Sequence, residues 1–466
     1  MPNAALRFGS LDVRRSMLGV RRSRLQRGSV LIIVLWVAIG LVSIALYFAN
    51  SMTYELRASD NRVNGLAADQ AIEGAARYVG YVLQNLATNG AVPATNQFAC
   101  AAVPVGDARF WLIGRDPSAQ NPAEPVFGLV DEGSKLNLNT ANTNTLSYLP
   151  NMTMDFANAI VDWRGTNGIV SLDYAALGYL PKYAPFETVD ELRLVYGATI
   201  DLLAGDDLNR NGVLDAAEKN SSGTGEMNYG LFEYATVYTR EPNFHSDGSS
   251  LTNVNTASRQ TILALLQADG VGDADAMATA IYRNIHNTPA GVNTCNGILD
   301  LAVRCRNLGM SEADFAKIYN DVTTSTNAYL RGRVNVNTAG AGVLTALFMG
   351  LNVDEQTASG AAQTLLTYRV QNPNNLASVG WIVDALGNSG PVIRALQTGD
   401  YVTTRSFQFT ADIAAVGSFG RGYRRVKFIF DTSDGTPKII YRQDLSRLGW
   451  ALGETVRAIE VANATP

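Results

Sequence analysis

VLIIVLWVAIGLVSIALYFA, residues 30–49, is an uncharged apolar run lying directly behind the arginine-rich stretch RRSRLQRG of residues 21–28. About 20 such residues cross a bilayer as a single helix. The chain continues as SMTYELRASDNRVNGLAADQAIEGAARYVGYVLQNLA through residue 87, with few helix breakers. One long helix is therefore predicted, lipid-soluble in its first half and amphipathic in its second, tethering the C-terminal bulk of the chain to a membrane. A cleaved secretory signal has an apolar core of roughly 7–15 residues before an A-x-A-like site. This run is longer, and no such site comes after it.

Charge sets the orientation. Residues 1–28 hold seven arginines against the single acid Asp12, a local charge of +6; the whole chain carries −5, so the remainder carries −11. Basic flanks stay cytoplasmic, which places the C-terminal bulk outside. The junction of this leader with Gly28, Ser29 and the apolar run resembles the type IV prepilin signal, in which a membrane peptidase cuts behind the glycine and leaves the helix in place. The resemblance implies cleavage between Gly28 and Ser29 by a prepilin peptidase; an uncut anchor is the alternative. Mature pilins usually begin with Phe or Met and carry Glu at their fifth position, where this chain has Ser29 and Ile33. A carboxylate within a bilayer is costly unless paired. In pilins it faces the N-terminus of the subunit ahead, so its absence suits a subunit at a filament tip.

A length of 466 residues allows two to four domains. With 42 Gly, 15 Pro and 17% charged residues, the composition is that of an extracytoplasmic globular protein rather than a disordered one. Cys295 and Cys305 stand ten apart in CNGILDLAVRC. In an oxidising compartment they can close a short disulfide loop, with buried free thiols as the alternative. Cys100 is left without a partner.

Internal similarity is the second strong signal. LNLNTA (136–141), NVNTA (253–257) and VNVNTA (334–339) each precede a helix-like apolar pattern: NTLSYL, RQTILALLQ and AGVLTALFMG. Alternation of Leu136/Leu138 and Val334/Val336 predicts short extended lead-ins. Thr140, Thr256 and Thr338 are placed to cap the helices behind them. The separations are irregular, which describes related helical modules with unequal insertions rather than a solenoid. These copies resemble the helix-hairpin-helix unit of competence DNA receptors. The first turn, Leu149-Pro150-Asn151-Met152, lacks a G-x-G, and an exported portion of −11 offers no basic patch for phosphates. The modules read as structural, with no nucleic-acid partner.

Flanking them, ARFWLIG (108–114), PVFGLVDEG (125–133), RSFQFTADIAAV (405–416), YRRVKFIFDTS (423–433) and PKIIYRQDL (437–445) read as strands, the later ones alternating apolar and polar residues. The fold class expected is α+β and pilin-like. An antiparallel sheet would lie on residues 51–88 of the long helix, with an all-α SAM-like or helix-hairpin-helix domain inserted between strands. The segments are a leader at 1–28, a transmembrane helix at 29–50, pilin-like helix and first strands at 51–139, the inserted domain at 140–395 and C-terminal strands at 396–466.

From about Arg21 to Leu452, the motifs RGSVLIIVLW, DEGSKLNLNTAN, PFETVDELRLVYG, RVNVNTAGAGVLTALFMG and RRVKFIFD…PKIIYRQDLSRLGWALG keep the order of the K minor pseudopilins of bacterial type II secretion, which the chain resembles. The resemblance implies a non-enzymatic inner-membrane protein with its bulk in the periplasm. It would sit at the pseudopilus tip, join the I and J minor pseudopilins, and help start the filament that exports folded proteins. A minor pilin of a related type IV pilus, serving adhesion or DNA uptake, is the alternative, and a membrane-anchored periplasmic hydrolase a third reading.

Asp207-Leu208-Asn209-Arg210-Asn211-Gly212-Val213-Leu214-Asp215-Ala216-Ala217-Glu218 matches the calcium loop D-x-[DN]-x-[DN]-G-x5-E without a gap. Asp207, Asn209 and Asn211 would present side-chain oxygens, Gly212 the sharp turn, Val213 a backbone carbonyl, Asp215 a direct or water-mediated oxygen and Glu218 a bidentate carboxylate. Leu214 would point into the core. Only three of these side chains are anionic, which suits moderate affinity in a calcium-rich exterior; Asp201 and Asp206 stand nearby. Enzyme motifs are lacking: the two histidines, His245 and His286, stand in no metal-ligand spacing, and there is no nucleophile elbow, Walker loop or dinucleotide fingerprint.

Overall fold

The computed structural model describes residues 28–116, 123–165, 174–223, 227–286 and 292–463. The chain divides into two compact units, Met1–Asp60 and Asn61–Pro466. The long helix is there, Gly28–Leu86, 59 residues without a break. In the first unit its large apolar side chains, Val30 through Leu56, are exposed. Among the described residues it is the one helix long and apolar enough to cross a membrane.

In the second unit the same helix becomes one-sided. Ala68, Ala71, Ile72, Ala75, Ala76, Val79 and Leu83 are buried, at the three- and four-residue spacing of a single helical stripe. Four alanines in that stripe let the helix backbone lie close to what it covers, an antiparallel sheet. Its strands are β1 (Val103–Val105), β2 (Ala108–Ile113), β3 (Val130–Asp131), β4 (Gln408–Val416), β5 (Arg424–Asp431) and β6 (Lys438–Asp444). They run in the order β1-β2-β4-β5-β6, with β3 paired to β4.

Alternation along each strand divides the sheet into two faces. Ala108, Phe110 and Leu112 of β2, Phe409, Ala411, Ile413 and Ala415 of β4, and Val426, Phe428 and Phe430 of β5 pack against the helix stripe. On the other face Trp111, Ile113, Ala414 and Val416 meet Ala451 and Leu452 from the C-terminal segment. This is the expected α+β, pilin-like arrangement. Central β4 is buried at all nine positions.

The chain leaves the sheet after β3 and returns at β4. Between them lies a region with its own core, from Leu136 to Val402. It is not all-helical. Three two-residue parallel pairings punctuate it: Leu136–Asn137 with Ala235–Thr236, Thr252–Asn253 with Val322–Thr323, and Val334–Asn335 with Val402–Thr403. Each opens on an N-x-N-T-A copy and closes a module, so all three copies do the same structural work, the middle one included.

The bonds repeat as well. The first Asn side chain accepts from the backbone N–H two residues on, at 2.9, 3.0 and 2.9 Å for Asn137, Asn253 and Asn335. The second Asn holds a distant loop: Asn139 exchanges bonds with the backbone of Phe186 and Asn255 with that of Cys295, while Asn337 donates to Leu376 O and accepts from the Trp381 indole. The expectation for the threonines is corrected. The helices behind them start at Thr143, Arg259 and Ala341 and are preceded by Asn142, Ser258 and Gly340. Thr140, Thr256 and Thr338 turn their hydroxyls back to the carbonyls of Asn137, Asn253 and Asn335. The chain needs two more residues after each Asx turn before it can enter the helix.

Candidate metal centre

The Asp207–Glu218 stretch is an excursion within the first module, between helices Ile200–Ala204 and Leu231–Tyr234. Its two ends are pinched together. Gly205 (φ 66°) bridges Tyr229, and a Cβ at Gly205 would stand 2.0 Å from Asn228 O, so only glycine fits. Buried Asp206 ties the returning strand by accepting from Ser221 Oγ at 2.8 Å and Asn228 N at 3.1 Å.

Within the loop the side chains named from sequence converge. Asp207 accepts from Asn211 N (2.9 Å) and Gly212 N (2.8 Å). Asn209 Oδ1 accepts from Asn211 N and Asn211 Oδ1 from Val213 N. Both Asn amide groups donate to Asp215 Oδ2, at 2.5 and 3.0 Å. Glu218 closes the loop, one oxygen accepting from Asn209 N and the other from Asp215 N. Gly212, at φ 84°, makes the turn. Asp207, Asn209, Asn211 and Val213 are buried. One expectation is corrected here: Val213 is the apolar side chain buried beneath the loop, and Leu214 is half-exposed. Asp201 is exposed beside Lys219, away from the loop's interior.

The electrostatics describe acidic groups that are only partly neutralised. Burial raises the Asp207 carboxyl above the usual carboxylate range, although Arg115 lies 3.9 Å away. Glu218 is raised as well, by burial and then by the charges of Asp207 and Asp215. Among the described residues no three His, Cys, Asp or Glu side chains stand at metal-holding spacing. A cation here would therefore draw on the Asn amide oxygens and a backbone carbonyl as well, and that all-oxygen donor set fits a hard divalent ion.

From outside, the loop is gripped by residues the sequence did not single out. Arg425 of β5, with no exposed surface, donates Nη1 to Asn209 O and Nη2 to Arg210 O at 2.7 Å, while Nε and Nη2 reach Asp412 of β4 at 2.8 and 2.6 Å. Arg115 donates to Arg210 O at 3.1 Å and to Glu233 at 2.9 Å. Asn209 Nδ2 also reaches Trp450 O at 3.2 Å. The sequence carried no signal for this role, since Arg425 stands between Arg424 and Val426, with Lys427 just beyond, in RRVKFIFD.

The remaining site residues separate. Cys295 and Cys305 are free buried thiols, so the expected bridge is not formed; each lies in the apolar core, where burial pushes the Cys295 thiol up to about 12 and Cys305 higher still. The helix begins at Gly28, and the arginine-rich leader falls outside the described residues, as does the side chain of Ser29.

No protein-family model matches this chain, and no curated protein is similar to it by sequence. Among solved structures, the chain is similar to one in the GspK-GspI-GspJ complex from the enterotoxigenic Escherichia coli type 2 secretion system. Identity is 15%, 44% of this chain and 78% of that chain are covered, and the TM-score is 0.18. The fold described above rests on the chain's own elements.

Proposed function

We propose that the chain is a non-enzymatic minor pseudopilin of a type II secretion system, the K-type subunit at the pseudopilus tip. The observation that carries this reading is the helix Gly28–Leu86, apolar and exposed where it would lie in lipid or in a filament, then alanine-striped where it carries a sheet. A helix that serves both environments can leave a bilayer and enter a fibre without refolding. The order of motifs from RGSVLIIVLW to PKIIYRQDL supports the K-type assignment. In this reading the N-terminus is cytoplasmic, the leader is removed by a prepilin peptidase between Gly28 and Ser29, and the bulk lies in the periplasm against I- and J-type minor pseudopilins.

The 207–218 loop is assigned to Ca2+, with Asp207, Asn209, Asn211, Asp215, Glu218 and the Val213 carbonyl as its holders. When bound, the ion would neutralise the charges of Asp207, Asp215 and Glu218 and so fasten the excursion.

Affinity capture from membranes should recover I- and J-type minor pseudopilins, and deleting the gene should stop export of secreted enzymes while leaving twitching and transformation intact. Loss of twitching or DNA uptake with normal export would overturn the assignment in favour of a type IV pilus.

A further inference from the structure

The grip of Arg425 on the loop is directional. Its guanidinium takes the carbonyls of Asn209 and Arg210, the third and fourth residues of the loop. A peptide unit is planar, so fixing those carbonyls outward fixes the opposite N–H groups inward. There Arg210 N donates to Asp207 O, and Asn211 N to Asp207 Oδ1. Gly212 N completes the set at Asp207 Oδ2. The buried Asp207 carboxylate is thus oriented from a residue on β5 through the Arg210–Asn211 peptide plane, while the Asn209–Arg210 plane holds the backbone carbonyl of Asp207. Asp412 in turn holds the guanidinium by two parallel bonds, the geometry in which an arginine fork is most specific.

We propose that Arg425, held by Asp412, is a positioning residue for calcium: it pre-forms the 207–218 loop from the sheet side, and so links occupancy of that loop to the seating of β5. The inference rests on the calcium reading above but adds a coupling which that reading does not require. Arg425 touches no ligand oxygen of the proposed ion. It acts by removing the conformational freedom that the loop would otherwise lose on binding. Linkage is reciprocal, so an ion that prefers the gripped loop must also stabilise the strand that grips it.

Calcium titration by calorimetry of the full chain in detergent tests this, alongside hydrogen exchange with and without calcium. Lysine cannot reproduce a fork that reaches Asp412 and two carbonyls together, so Arg425→Lys should weaken calcium binding at least about fivefold. Arg369→Met, at a side chain that holds the carbonyls of Val336 and Ala339 rather than those of the loop, should lower stability while leaving calcium affinity unchanged. In the unaltered protein, calcium should slow exchange of backbone amides in Arg424–Asp431, and Arg425→Lys should abolish that slowing. Equal affinity in Arg425→Lys and the unaltered chain, or exchange in β5 indifferent to calcium, would overturn the coupling while leaving the calcium site standing. Absence of any calcium binding to the unaltered chain would overturn both. Should Arg425→Lys fail to fold, the exchange measurement on the unaltered chain still decides.

Discussion

Arg164 and Arg369 occupy matching places at the ends of the second helices of the first and third modules. Arg164 donates to Leu138 O and Ala141 O, and Arg369 to Val336 O and Ala339 O. The middle module has His286 there, stacked on Tyr282 and reaching only Val254 O at 3.2 Å. Removing the arginine leaves two buried carbonyls unheld, so Arg369→Met should cost about 2–3 kcal/mol in urea unfolding. Conversely, His286→Arg should add a second carbonyl bond and raise stability by about 1 kcal/mol. Asp131 gives a pH signature. Burial pushes its carboxyl up to about 6, against hydrogen bonds from Ser406, Thr338, Gly133 and Asn335 that pull it down. The unfolded value is about 3.9. Ionisation therefore costs the folded state nothing below that value, and progressively more as pH rises through 6, in all about 3 kcal/mol. Asp131→Asn should remove this fall from the stability profile measured between pH 4 and 8. None of these residues could be read from sequence. The N-x-N-T-A copies are contiguous and announce themselves, but the side chains that answer them lie 23 or more positions away and differ in type from copy to copy.

At the scale of elements, legibility tracked contiguity. The long helix and five of the six sheet strands were readable from their own residues; β1, three residues long, was not. The 207–218 loop carries its motif in twelve consecutive residues. Its anchoring by Arg425 and Trp450 was not readable, because those contacts span more than 200 positions. The threonine caps were misread because an Asx turn, which depends on the preceding asparagine side chain, displaces the helix start. For the loop itself, replacing both Asp207 and Glu218 by Ala should abolish the rise in melting temperature on adding calcium. A ligand bound only by the folded state stabilises it by about 2.7 kcal/mol at a hundredfold excess over Kd. A melting temperature of the unaltered protein that ignores a chelator would mean that the loop is an acidic turn and nothing more.

At the scale of the whole molecule, one prediction concerns the start of the mature chain. Mass spectrometry of membrane-purified protein should find Ser29 as its N-terminus, whereas an intact Met1 would remove the prepilin assignment. The insertion between strands was legible as a composition change, but its three-module construction was only half visible. The first module is stretched by the 207–218 excursion, which hides its equivalence to the other two in the spacing of the motifs. The sheet itself is indifferent to that elaboration. Val130 pairs with Thr410, and Asp131 with Phe409, so two adjacent antiparallel strands are joined by what is, topologically, an oversized hairpin tip. The entropic penalty of closing such a tip grows only with the logarithm of its length. Whole modules can thus be gained, lost or exchanged at this position without disturbing strand register.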